Sequence, residues 1–134
     1  MMQDYVRKRG ATLLRRLAFR LNRAAKLRNA DSIHDLRVSI RRFDQCLRVF
    51  HAFFPKHHKK KIHRRLHKIM ALSGDVRNRD IALELLKKAG VPDTSPVSVT
   101  MLQDRKQAQR ALLSEFDRWG RRDVSKKWGT RLGL

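Results

Sequence analysis

The sequence predicts an all-α fold: an antiparallel bundle of four long helices plus a short one, with a strongly basic face. Three observations predict it. Apolar residues recur at helical spacing from Leu13 to Trp119. No alternating run and no Asn-Gly or Asp-Gly pair signals a hairpin. The connections between periodic segments are short, which makes neighbouring helices antiparallel. At 134 residues and 41% hydrophobic, the chain supports one domain with one modest core.

The first helix is expected from Gln3 or Thr12 to Leu27, with Leu13, Leu14, Leu17, Leu21 and Ala24 on one side. The segment Arg28 to Ser32 breaks it, and Asp31 or Ser32 suits the N-cap of the second helix. That helix spans about Ile33 to Phe54 and is ended by Pro55. At roughly 100° per residue, Leu36, Ile40, Phe43, Leu47 and Phe50 share one arc. His34, Arg37, Arg41, Gln45 and Arg48 share another. The third helix runs from Lys56 to Leu72, with Ile62, Leu66, Ile69 and Ser73 inward. Lys60, Arg64, His67 and Lys68 lie broadly opposite, and Gly74 is placed to end the helix. Asp75 to Arg79 reads as a turn, and Asp80 to Ala89 as a short helix closed by Gly90. Pro92 and Pro96 mark a loop. The last long helix starts near Ser98 and reaches Trp119, with Met101, Arg105, Ala108, Leu112, Phe116 and Trp119 inward. Residues 1–120 make the bundle, and 121–134 read as a basic, loosely held tail.

Charge narrows the function. The chain holds 33 Lys+Arg against 12 Asp+Glu, a formal net charge of +21. Such self-repulsion destabilises a compact state unless a large anion relieves it. The partner expected is a polyanion: nucleic acid, anionic lipid or polyphosphate. The only apolar stretch near the start is interrupted by arginines, so it is no secretory core, and no run approaches the ~18 apolar residues of a membrane span. The Arg-rich start can be read as an organellar presequence, but it fits the first helix better. Cys46 stands alone, which excludes an intrachain disulfide and a cysteine zinc cluster and fits a reducing cytoplasm.

His34, Arg37 and Arg41 fall at i, i+3 and i+7, so they stack along one helical face. Cations in register repel unless an anion lies along them. Arginine suits phosphate oxygens because its planar fork donates two parallel charge-assisted hydrogen bonds. An isolated pair would read as a solvated face. Here the stripe continues to Arg48 and a second basic face follows, which favours an anion site.

These residues also carry a resemblance. His34-Asp35-Leu36-Arg37, followed four residues later by Arg41-Arg42, then Gly74, Arg77 and Asp80 after the next helix, resembles the CHAD family, the conserved histidine α-helical domain. The second motif departs at Asn78, where Asp is usual, and mildly at Arg79 and Ile81. The resemblance covers roughly residues 12–119. It implies a non-catalytic helical bundle whose basic surface binds inorganic polyphosphate, in proteins associated with polyphosphate granules. By that resemblance His34, Arg37, Arg41 and Arg42 are anion contacts, joined by Lys60, Arg64 and His67 or Lys68. Arg77 closes one end, with Arg105 and Lys106 on the last helix and Arg20 on the first. Asp35 and Asp80 are expected to orient arginines or cap helices. A typical family domain has two related bundles around a basic channel, and this chain has length for one. A homodimer would rebuild the channel.

Other readings of the same residues are weaker. His63 and His67, two of six histidines, have a metal-compatible i, i+4 spacing, but no Cys, Asp or Glu is near in sequence, so no metal is expected. Histidines beside phosphates would tighten polyphosphate binding as pH falls from 8 to 6, around their unperturbed value of ~6.5. No cofactor is implied. The few carboxylates form no cluster for magnesium and there is no Walker loop, which argues against an enzyme. Sequence-blind nucleic-acid binding is the main alternative. Phe19, Phe43, Phe50, Phe53, Phe54, Phe116 and Trp119 sit mostly among apolar neighbours and read as core, which leaves few aromatics for base stacking. A membrane-surface role would need the apolar arc of the second helix, which the core already uses.

Overall fold

The computed structural model describes residues 1–121 and 123–134, Arg121 by its backbone alone. The helices are α1 (Met2–Leu27), α2 (Ala30–Val49), α3 (Lys56–Lys88), α4 (Pro96–Arg121) and α5 (Val124–Leu132), with one 3₁₀ turn at His51–Phe53. No strand occurs among the described residues. Helix α1 packs on α2, α2 on α3 and α3 on α4, while α5 touches α1, α3 and α4. The all-α bundle is therefore as the apolar periodicity predicts, with its short helix in a different place.

Local chemistry explains the boundaries. Asn29, not Asp31 or Ser32, caps α2: its Oδ1 accepts from the Ser32 N–H at 2.9 Å. Arg28, the residue before it, turns the chain in the left-handed region at φ 55°. Pro55 forces Phe54 into extended backbone (ψ 146°), so α2 has already given way to the 3₁₀ turn. At α4, Ser95 accepts from the Ser98 N–H at 3.3 Å, and Pro96 takes the first helical position. A proline read as loop is thus the start of a helix.

Two longer segments are corrected as well. Gly74 does not stop a helix, and Asp75 to Arg79 is not a turn: α3 runs unbroken for 33 residues. The turn assignment failed because a glycine ends a helix only where it adopts positive φ. Gly90 does so, at φ 76°, and the Val91 N–H returns to the Leu86 carbonyl across it. Gly74 is not among the glycines at positive φ and stays within α3. Residues 121–134 are also not a loose tail. The described part forms α5, whose Val124, Trp128 and Leu132 are buried. Trp128 stacks nearly parallel to Phe43 (centroids 6.2 Å) and meets Trp119 edge-on (4.9 Å).

The core combines Leu13 and Leu17 from α1, Leu36, Ile40 and Phe43 from α2, Ile62, Leu66 and Ile69 from α3, and Leu112 and Phe116 from α4. Two of the aromatics read as core are not there. Phe19 is 55% exposed and Phe53 40% exposed. Among the described residues no helix is long and apolar enough to cross a membrane.

Candidate anion-binding face

Helices α2 and α3 run antiparallel with their basic edges side by side. Arg37 meets Ser73 at one end of this face, and His63 meets Asp44 nearer the other. At 1.5 Å per residue, Lys56 to Arg77 spans about 32 Å of α3.

Arg37 is the anchor. Its Nη1 donates to the Met70 carbonyl at 2.6 Å and to Ser73 Oγ at 3.0 Å. This is why position 74 is glycine. A Cβ there would lie 3.0 Å from Arg37 Nη1, so the bare backbone gives the guanidinium its seat against α3. Both partners of Arg37 are neutral. Burial, and then the neighbouring charges of Arg41 and Arg77, push its pKa below the ordinary arginine value. The side chain remains a cation, held where its charge costs energy, beside two more cations.

The sequence-predicted residues divide into two sets. His34, Arg37 and Arg41 on α2, with Lys60, Arg64 and Arg77 on α3, have no carboxylate within ion-pair distance among the described residues. Lys60 and Arg64 line a groove of about 600 Å³ with Arg48, Lys56, Lys59 and His63, between the end of α2 and the start of α3. His67 adjoins it, its ring 6.1 Å from that of His63.

The others are turned away or occupied. Lys68 reaches Glu115 on α4 at 3.2 Å, so of His67 and Lys68 it is the histidine that stands with the groove. Arg105 is a cross-link: it donates to Asp80 on α3, to Gln109 and, at 3.3 Å, to the Arg28 carbonyl where α1 turns into α2. Lys106 is exposed on α4. Arg20 pairs with Asp35 at 3.3 Å in the α1–α2 groove, whose lining includes Arg42. Asp35 and Asp80 do face arginines, as their chemistry suggests.

Sequence reasoning left Lys56, Lys59 and His63 off the site and kept Arg48 only as part of the stripe. The signal was present: the short link at Pro55 folds the end of α2 back beside the start of α3. It also missed Asp44 beside His63, at 2.8 Å. Among the described residues no group of three or more His, Cys, Asp or Glu side chains is placed to hold a metal ion.

A family model for the CHAD domain matches residues 10–133. No curated protein and no solved structure matches the chain. The match takes in both motifs that meet at Arg37 and Gly74, and also helix α5. The chain belongs to the CHAD domain family.

Proposed function

We propose that this chain binds inorganic polyphosphate, without catalysis, along the α2–α3 face. One observation carries the reading: Arg37 is built into the helix interface beside Arg41 and Arg77, with neutral hydrogen-bond partners and no carboxylate. Gathering cations lowers the stability of the free fold, and an anion lying across them removes that repulsion on binding. Carboxylates are placed to neutralise cations on the flanks, at Arg20, Lys68 and Arg105, and leave most of this face uncompensated. Family membership supports polyphosphate as the anion and granules as the place. The same carboxylates are dispersed among bases, which does not suit the clustered magnesium ligands of phosphoanhydride hydrolysis. Two chains pairing as a homodimer would lengthen the surface.

The test is a titration of long-chain polyphosphate into the wild type and into the double variant Arg37→Ala, Arg41→Ala. Affinity should fall by orders of magnitude while circular dichroism shows the free variant still helical, relief of repulsion from Arg41 and Arg77 offsetting part of the loss of the Arg37 bonds to Met70 and Ser73. Equal affinity in the two proteins would remove this face from the function.

A further inference from the structure

A second basic surface lies between α1 and α2, with most of its arginines on α1. There Thr12, Arg15, Arg16, Arg20, Ser39 and Arg42 line a groove of about 620 Å³. Its carboxylate, Asp35, is already paired with Arg20. In the same groove lies Phe19, 55% exposed. A single exposed phenylalanine is ordinary. This one is set apart by its surroundings: the Arg20 and Arg23 guanidiniums approach the ring at 5.5 and 5.8 Å, and the hydroxyls of Thr12 and Ser39 lie along the groove. The core-facing side of α1 is filled by Leu13, Leu14 and Leu17, so Phe19 is not needed in the core, and the mobile Arg20 and Arg23 side chains over its ring are what a stacking base would displace.

We infer that the α1–α2 groove binds single-stranded nucleic acid, with a base stacked on Phe19 and the phosphates held by Arg15, Arg16 and Arg42. Each part of the ligand has a matching surface. A bare phosphate chain gains nothing from an exposed phenyl ring beside its path. A duplex keeps its base faces inside the stack. A lipid surface would need an apolar belt where the groove is lined by arginines. An unpaired nucleotide carries both an anion and an open aromatic face, and base–aromatic stacking is tolerant of sequence. The inference does not rest on the polyphosphate reading, since Arg37 faces α3 and Arg42 faces α1.

The experiment compares a labelled single-stranded oligouridine with an abasic oligomer of the same sugar-phosphate length, by fluorescence anisotropy at matched salt. The wild type should bind the oligouridine roughly tenfold or more tightly than the abasic chain. Phe19→Ala should erase that ratio and leave abasic affinity unchanged, Phe19→Trp should keep it, and Arg37→Ala with Arg41→Ala should lower binding of the abasic chain without erasing the ratio. Phe19 is exposed, so the variants fold. A wild-type ratio of one, a ratio insensitive to Phe19→Ala, or an equal loss for both ligands would overturn the inference.

Discussion

Gly74→Ala has opposite effects on stability depending on what occupies position 37. In an exposed helix interior, alanine is favoured over glycine by roughly 1 kcal/mol. At this position the added Cβ lies 3.0 Å from Arg37 Nη1, so the guanidinium must move. It then weakens its bonds to the Met70 carbonyl and Ser73 Oγ, and a charged hydrogen bond is worth about 1.5–3 kcal/mol. The net expectation is a loss of about 0.5–2 kcal/mol in the wild type. With Arg37→Ala the obstacle is gone, and the same substitution should stabilise by about 1 kcal/mol. Urea denaturation followed by helical circular dichroism gives all four corners of this double-mutant cycle. If Gly74→Ala stabilises equally in both backgrounds, Arg37 is not seated on the bare backbone of α3, and the explanation of the glycine is wrong.

Other expectations concern the rest of the bundle. Arg105→Ala should destabilise by roughly 3–5 kcal/mol, because it strands the Asp80 carboxylate, which is 13% exposed and whose Oδ2 is already buried without a partner. Lys106→Ala, next to it but exposed, should leave stability within about 0.5 kcal/mol in the same denaturation assay. Trp128→Ala should cost about 3–5 kcal/mol, and a variant as stable as the wild type would mean that α5 does not close the core. Burial pushes the Cys46 thiol up, against a smaller lowering by Arg9. The unfolded thiol therefore ionises first, so this contribution is intact below the unfolded value of ~8.5 and is lost as pH rises through the folded one. Denaturation between pH 7 and 10 should show that decline in the wild type and lose it in Cys46→Ala.

The sequence was most legible where one residue pattern had one meaning. On α2 the core arc and the cationic arc are both strict helical repeats, so Leu36, Ile40 and Phe43 are buried and Arg37 and Arg41 share an edge. Glycine had two meanings. Gly74 and Gly90 look alike in sequence, yet one gives room to an arginine from another helix and the other turns the chain at positive φ. Only the approach of α2 separates them. The C-terminal segment was misread because its lysines and arginines outweigh the spacing of Val124, Trp128 and Leu132, which is that of one buried face.

The site divided along the same line. Residues on α2 were placed by their own helix and came out together, apart from Arg42 on the α1 side. Residues on the other helices depended on which neighbour each side faced. Lys68 and His67 are adjacent in sequence, but Glu115 on α4 claims the lysine. Arg105 was read both as core-facing and as an anion contact; it is partly buried, and its donors are used within the fold. Phe19 was assigned to the core with the other aromatics, although it lies off the stripe of Leu13, Leu17 and Leu21 that faces inward on α1.

The most direct measurement is the NMR response of the arginine Nε–H resonances to added polyphosphate at physiological salt. Arg37, Arg41, Arg64 and Arg77 should shift together and saturate at one affinity, while Arg105, engaged with Asp80, stays in place. Shifts confined to Arg16 and Arg42, or spread evenly over every exposed arginine, would contradict a polyphosphate site on the α2–α3 face.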